Sequence, residues 1–218
     1  MDTCRPAGAA ERRHRSGRPR PVRGPAPAAR PVTDRRAMPF NGRVAYTRLR
    51  GQVQAARFTE GIPAQIALPL ADLLDSPGGA RDRQLLRGLG FRILDSLGAH
   101  TFGFAEADGY VGWIATDALS QTAPAPTHRL AAALSYAKPS PALKRTEAIV
   151  SLSLGSRLTA TGHHDGWARI AWSDGQSLHV PACHLDPLSR PERDPVAVAE
   201  RLLGAPYLWG GNSALGID

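Results

Sequence analysis

An internal repeat constrains the fold of this chain more than any other sequence feature. The stretch Gly90-Phe91-Arg92-Ile93-Leu94 matches Gly155-Ser156-Arg157-Leu158-Thr159, 65 residues later. The pair Asp108-Gly109 matches Asp174-Gly175, 66 residues later. Because the offset rises by one, the second copy should contain one extra residue in the turn at 163–166. Two copies of a single structural unit are the simplest interpretation of this pattern.

Both copies show short strands with alternating apolar residues. In the first copy the strand residues surround the Asp108-Gly109 turn, and in the second they surround Asp174-Gly175. Asp-Gly between alternating apolar residues is a strong signal for a β-hairpin. Roughly five short strands in about 60 residues predict a small closed barrel for each copy. The fold class expected from the residues is therefore mainly β.

Composition divides the chain into segments of different character. The first segment alternates Arg, Pro, Ala and Gly, and it offers too little apolar surface to offset the entropy of ordering. Two other segments are rich in proline and are expected to be extended linkers. The predicted segments are a disordered leader (1–37), an arm that packs on the next domain (38–63), the first repeated domain (64–120), a linker (121–127), the second repeated domain (128–188) and a C-terminal segment with a linker and a helix (189–218).

The formal net charge of +8 belongs almost entirely to the leader. Residues 1–36 contain ten arginines against three acidic residues, which leaves 17 basic and 16 acidic residues in the rest of the chain. Without interleaved aromatic residues, such a leader supplies only weak, non-specific phosphate contact, and no other nucleic-acid partner is expected. No stretch is apolar enough for a membrane span or a secretory signal. We therefore expect a cytoplasmic protein without membrane contact, and the oligomeric state is left open.

The C-terminal segment predicts a short helix followed by a rigid loop. Asp194 suits the N-cap, Pro195 the first helical position and Gly204 the position just past the end. The apolar residues of this segment share one face, so the helix should dock on a core: Val196, Ala199, Leu202 and Leu203. Residues 205–218, with the sequence APYLWGGNSALGID, then contain a proline that stops the helix and a Gly-Gly pair suited to a tight turn.

The sequence APYLWGGNSALGID resembles the entry to the active site of the NlpC-type cysteine peptidases, which cut bacterial cell-wall peptides. The spacing within the two copies resembles that of bacterial SH3-like domains. Tandem domains of this kind followed by PYLWGG are a recurring layout in that family. The resemblance implies two small SH3-like β-barrels in tandem, followed by a short helix that begins an incomplete α+β papain-like peptidase domain. It implies no cofactor and no metal.

The same resemblance implies a function in murein peptide recycling. Family members hydrolyse the bond between γ-D-glutamate and a diamino acid in short murein peptides, by attack of a cysteine thiolate. In the family that cysteine follows the aspartate that matches Asp218. We therefore expect a chain truncated just before its nucleophile, inactive alone and without catalytic residues of its own. Whether it counts as an enzyme stays open, and the alternative is a stand-alone SH3-like module that binds a cell-wall peptide or protein.

Four residues are candidates for contact with the peptide. The resemblance implies that Tyr207 and Asp218 line the substrate cleft, with the aspartate engaging the free amino end of the peptide. Trp209 would form part of the wall. Tyr110, after the Asp108-Gly109 turn, would belong to the first domain and limit the length of the peptide. The alternative for each aromatic residue is ordinary packing, and for Asp218 it is a helix cap.

Other combinations that could carry chemistry are weaker. Cys183 and His184 are adjacent, and neighbouring residues on a strand rarely point the same way, so a structural or incidental thiol is expected. The adjacent histidines His163 and His164 lie in a predicted turn, and no two histidines of the chain have the spacing of established metal ligands. Gly88-Leu89-Gly90 lacks the strand and helix that surround a phosphate-binding loop.

Overall fold

The computed structural model describes residues 34–172 and 175–218, and the described chain is mainly β. Most of the predicted leader and Asp174 of the second hairpin turn lie outside the described residues. Residues 35–37, predicted to belong to the leader, form a 3-10 turn because Asp34 caps it and accepts a hydrogen bond from the Arg36 amide. None of the described helices is both long and apolar enough to cross a membrane.

The secondary structure consists of short strands and one α-helix within the described ranges. Short 3-10 turns lie at Arg35–Ala37, Thr47–Leu49, Thr116–Ala118 and Ala182–His184. The strands and the helix, in chain order, are β1 (Val44–Tyr46), β2 (Arg57–Thr59), β3 (Ile62–Ile66), β4 (Leu70–Leu74), β5 (Arg81–Leu86), β6 (Gly90–Leu97), β7 (His100–Ala105), β8 (Val111–Ala115), β9 (Leu119–Ser120), β10 (His128–Leu130), β11 (Leu134–Ala137), β12 (Val150–Ser153), β13 (Arg157–Leu158), β14 (Ala160–His164), β15 (Trp167–Ala171), β16 (Ser177–Pro181), β17 (Leu185–Pro187), α1 (Pro195–Glu200), β18 (Asn212–Ser213) and β19 (Gly216–Ile217).

The first half forms one antiparallel sheet of seven strands, in the order β5-β4-β8-β7-β6-β3-β9. Its core contains alternating apolar side chains such as Leu73, Phe91 and Ile114, each fully buried. The edge strands β5 and β9 are not paired with each other in the described chain, so the sheet is open. Strand β9 has two residues and pairs only with Gln65 and Ile66 of β3. The predicted closed barrel is therefore not confirmed here.

The second half has its own core, built on three smaller sheets. Their orders are β13-β10-β17, β11-β12 and β14-β15-β16. Buried apolar residues, among them Leu130, Ile170 and Val180, fill the space between them. Strand β16, the turn at Ala182–His184 and the start of β17 each lie 66 residues after their counterparts β8, Thr116–Ala118 and β9. The matching order agrees with the repeat, whereas a second closed barrel stays a prediction.

The arm packs on the first sheet. Strands β1 and β2 pair in parallel, and Val44 of β1 is buried against Phe102 and Trp113. The ring of Tyr46 meets that of Phe104 edge to face at 5.1 Å. The arm therefore covers the face of the sheet that the main core leaves free, which gives the first half two apolar layers.

Helix α1 begins where the sequence predicts, but it is shorter. The Asp194 carboxylate accepts hydrogen bonds from the amides of Val196 and Ala197, and Pro195 opens the helix. The helix ends at Glu200, and turns continue the chain to Gly204. Val196 is 64% exposed and Leu203 is 82% exposed. Within the described chain these two side chains are therefore not docked on a core, although Leu202 is half-buried, and the start of a papain-like domain is not confirmed.

Candidate functional site

The loop at 205–218 is closed by its own hydrogen bonds. Strands β18 and β19 form a two-stranded hairpin, and the Leu208 amide donates to the Ile217 carbonyl at 2.9 Å. The Gly210 amide donates to Oδ2 of Asp218 at 3.0 Å, and the Asp218 amide donates to the Gly211 carbonyl at 3.2 Å. These bonds hold the carboxylate of Asp218 in a fixed place beside the Gly-Gly turn, as the sequence predicts for a rigid loop.

The same loop lies on β5, the edge strand of the first sheet. The Gln84 amide donates to the Gly210 carbonyl at 2.7 Å. Asn212 donates two hydrogen bonds to Gln84, from its backbone amide to Oε1 and from Nδ2 to the backbone carbonyl, both at 3.3 Å. The Arg81 Nε donates to the Trp209 carbonyl at 3.0 Å. The loop therefore satisfies backbone groups that an edge strand would otherwise leave open.

Glycine is required at position 210 for this contact. Its φ is +67°, a left-handed conformation that favours glycine. A Cβ at this position would lie 2.7 Å from the Asp82 carbonyl oxygen and 3.0 Å from the Arg83 amide nitrogen, both backbone atoms. The loop can approach β5 this closely only because the side chain is missing.

A further hydrogen bond joins the loop to the second half of the chain. The Ala214 amide donates to Ser153 Oγ at 2.7 Å, and Ser153 ends β12. The loop thus forms hydrogen bonds with both halves of the chain, to β5 of the first and to β12 of the second. Three of its large apolar side chains are exposed: Tyr207, Trp209 and Leu215.

The three predicted loop residues are exposed on one short segment. Tyr207 is 71% exposed, Trp209 is 57% exposed, and Asp218 is exposed as well. The pKa of the Tyr207 phenol is raised, first by partial desolvation and second by the negative charge of Asp218. The structure therefore brings Tyr207 and Asp218 together, with Trp209 in the same loop. A carboxylate beside exposed aromatic rings can bind an ammonium group.

Tyr110 contacts β5 through a different residue from those that hold the loop. It is half-buried and packs against the sheet core, with its amide bonded to Asp108 Oδ1 at 3.1 Å. The guanidinium of Arg83 lies over its ring at 5.1 Å and pairs with the Asp108 carboxylate. Strand β5 thus holds the loop through Arg81 and contacts Tyr110 through Arg83. Tyr110 therefore packs against the core of the first half, and part of its surface remains accessible to solvent.

Sequence reasoning missed the residues of β5 that position the loop. Arg81 and Gln84 carry the contacts, and Gln84 is buried although it is polar. A buried glutamine in the run RDRQLL, next to two buried leucines, is a local signal of a specific polar partner. That signal indicates a partner without naming it, because the partner lies more than a hundred residues away.

The weaker candidates have ordinary surroundings. Cys183 is a free, exposed thiol, and His184 Nδ1 lies 2.7 Å from Ser135 Oγ. His163 faces His128, with their ring centroids 5.9 Å apart. In the described ranges, no three or more His, Cys, Asp or Glu side chains come together as metal ligands would.

Comparison with known proteins agrees with this architecture. Residues 73–119 match the family described as the bacterial dipeptidyl-peptidase SH3 domain. The matched residues lie inside the first predicted domain, 64–120. The chain superposes on an NlpC/P60 family protein from Bacillus cereus ATCC 10987 with a TM-score of 0.59 and 17% identity, over 72% of this chain and 68% of that one. NlpC1 from Trichomonas vaginalis matches with a TM-score of 0.25 and 14% identity, over 62% and 48% of the two chains. No curated protein sequence matches.

The family match and the superposition on the Bacillus cereus protein confirm the resemblance to NlpC-type proteins that contain a bacterial SH3 domain. The family match carries the SH3 assignment for 73–119. The superposition on the Bacillus cereus protein shows a shared fold over most of the chain.

Proposed function

We propose that this chain, with a bacterial dipeptidyl-peptidase type SH3 domain at its centre, is the recognition part of a cell-wall peptide hydrolase. Its partners in this proposal are short murein peptides with a free amino end. The bond cut by the complete hydrolase is the one between γ-D-glutamate and a diamino acid. The loop at 205–218 and the first domain bind and orient the peptide.

One observation carries the proposal: the Asp218 carboxylate is held in place at the point where the loop meets β5. Its Oδ2 accepts the Gly210 amide, and the carbonyl of Gly210 in turn accepts the Gln84 amide of β5. A carboxylate fixed by the backbone loses little further entropy when it binds a ligand, which favours affinity. An ammonium group is the complementary ligand for an exposed carboxylate.

The aromatic residues give this site its second property. Tyr207 lies beside Asp218, and Trp209 is exposed in the same loop. Aromatic faces attract cations and pack against short aliphatic side chains. The expected ligand is therefore a peptide whose first residue is small and whose amino group is charged, such as an N-terminal L-alanine.

The hydrolytic step belongs to residues outside this site. In the proposed reaction a cysteine thiolate attacks the γ-glutamyl carbonyl, the diamino acid leaves with its amino group, and water releases the acyl group from sulfur. Cys183 does not suit this role, because it is exposed in the 3-10 turn at Ala182–His184, whereas the loop contacts β5 and Ser153. In the proposed function this chain binds the peptide, and the thiol of a cysteine other than Cys183 cleaves it.

Binding of L-alanyl-γ-D-glutamyl-diaminopimelate, measured by calorimetry, tests the proposal. The wild-type chain should bind the tripeptide, and N-acetylation of the tripeptide should weaken binding about tenfold, because it removes the charge-assisted hydrogen bond. Asp218→Asn should weaken binding by a similar factor. Asp165→Asn is the matched control, since Asp165 is exposed in a hairpin turn and, among the described residues, forms an ion pair only with His164.

Equal affinity for the free and the acetylated peptide would contradict the proposal. The alternative of a stand-alone SH3-like module makes a different prediction for the same assay. A module that binds through its sheets should retain its affinity after removal of 205–218, whereas the proposed site should lose it.

A further inference from the structure

Arg87 is a buried cation in a position that the loop site does not use. It follows β5 directly, and only 7% of its surface is exposed. One guanidinium nitrogen donates to the Ala67 carbonyl, and the other donates to the Trp172 carbonyl at 2.9 Å. Its Cζ lies 3.5 Å from the centroid of the Trp172 ring, so the guanidinium is in contact with the face of the indole.

This arginine has no carboxylate partner in the described chain. Its contacts are backbone carbonyls and an aromatic face, and burial alone lowers its pKa to about 10. A buried charge is costly unless an opposite charge or a full set of hydrogen bonds offsets the loss of water. A guanidinium has five N–H donors, and two carbonyl bonds leave capacity for an anion. Two carbonyls and an indole face therefore fix the position of the guanidinium, and its remaining N–H groups are of the kind that pairs with a carboxylate.

A cleft lies beside this guanidinium. It has a volume of about 840 Å³ and is lined by residues of both halves of the chain. Clefts that bind small ligands measure roughly 300–1,000 Å³, are mostly apolar and contain a few placed polar groups. The cleft here falls within that size range, but its lining is about equally polar and apolar. Arg87 is its buried cation, and its other members include Ile66, Leu119, Leu158, Thr159 and Asp117.

We propose that this cleft binds the C-terminal carboxylate of a short peptide with an apolar last residue. The carboxylate pairs with the guanidinium of Arg87, and the apolar side chain packs on the partly exposed Leu119. Among the described residues, the lining contains one cation, Arg87, and one carboxylate, Asp117. Because Asp117 repels anions, the cleft suits a ligand with one negative charge better than a phosphate with two. The planar guanidinium also matches the two oxygens of a carboxylate. This site is separate from the loop at 205–218 and does not depend on the function proposed for it.

Nuclear magnetic resonance on the full chain tests the inference with three probes. N-acetyl-alanyl-alanine carries the carboxylate and lacks an ammonium group, so it should not occupy a site for amino ends. It should shift the Arg87 Nε–H and Trp172 indole N–H resonances in a saturable way. The C-terminal amide of the same peptide should bind at least tenfold more weakly, because the charge-assisted hydrogen bond is lost. Acetate, the third probe, should bind much more weakly than the peptide acid because it lacks the apolar contact.

Each other outcome overturns the inference or part of it. If the peptide acid and its amide shift the Arg87 and Trp172 resonances equally, or if neither shifts them, Arg87 has only a structural role between the two halves of the chain. Equal affinity for acetate and the peptide would reduce the cleft to a general anion site. Arg87→Lys keeps the charge but loses the planar guanidinium, so it should weaken binding of the peptide acid by about tenfold. If this variant fails to fold, the wild-type comparison of acid with amide still decides the matter.

Discussion

Substitution of Gly210 by alanine should release the loop at 205–218 from the first sheet. At this position φ is +67°, and a methyl group would lie 2.7 Å from the Asp82 carbonyl oxygen. Backbone atoms of a paired strand cannot move aside as a flexible side chain can. The loop must therefore retreat from β5, and the rest of the chain should remain folded because its cores do not include this loop.

The expected cost follows from the contacts that the retreat breaks. A left-handed alanine costs about 1 kcal/mol relative to glycine. Retreat also removes the hydrogen bond from the Gln84 amide to the Gly210 carbonyl, and it weakens the bond from the Gly210 amide to Asp218, at about 1 kcal/mol each. Together these terms amount to about 3 kcal/mol, which lowers the equilibrium constant for docking roughly a hundredfold.

Hydrogen exchange at the Gln84 amide measures this docking equilibrium directly. In Gly210→Ala its protection should fall roughly a hundredfold, while amides in the middle strand β7 stay protected. Gly204→Ala is the control, because Gly204 is also left-handed, at φ +88°, but has open space where the alanine methyl group would lie. The control should leave the Gln84 amide unchanged. Unchanged protection in Gly210→Ala would refute the argument that close backbone approach requires glycine here.

Three further substitutions test the cores, the helix cap and a titrating group. Phe91→Ala should lower the free energy of unfolding by about 3–5 kcal/mol in chemical denaturation, because the ring is fully buried, whereas Leu143→Ala at an 84% exposed position should change it by less than about 0.5 kcal/mol. Asp194→Ala should cost about 1 kcal/mol of local helix stability, seen as faster amide exchange at 196–197, and Asp194→Asn should retain most of it. Burial and the nearby His163 lower the pKa of His128 below its usual 6.5. As pH drops below 6.5, His128 is therefore protonated first in the unfolded chain, and the free energy of unfolding should fall. His128→Gln should flatten this part of the plot of stability against pH, and an unchanged plot would contradict the assignment of this effect to His128.

Local sequence signals were sufficient where the structure depends on neighbouring residues. The cap by Asp194 is confirmed because an N-cap needs only the amides two and three residues later. The SH3 resemblance is confirmed for residues 73–119, inside the predicted 64–120, because turn residues and alternation repeat at a fixed spacing. The rigid loop at 205–218 followed in the same way from its proline, glycines and polar turn.

Signals of this kind failed where the outcome depends on distant partners. The helix was predicted to dock because its apolar residues share a face, yet Val196 and Leu203 stay exposed, since periodicity says nothing about whether a partner is present. The barrels were predicted from strand number and turn spacing. Closure depends on pairing between the first and last edges of a sheet, and in the first half β5 and β9 remain apart.

The sequence by itself determined the strand-rich composition, the repeat, the helix cap and the residue types of the recognition loop, because each is written in residues close together in the chain. Tertiary structure alone decided that Gly210 and Asn212 meet Gln84, 128 residues before Asn212, and that Arg87 contacts Trp172, 85 residues later. Such contacts join side chains and backbone groups of ordinary kinds. Their partners are selected by the path of the backbone, which no local pattern records.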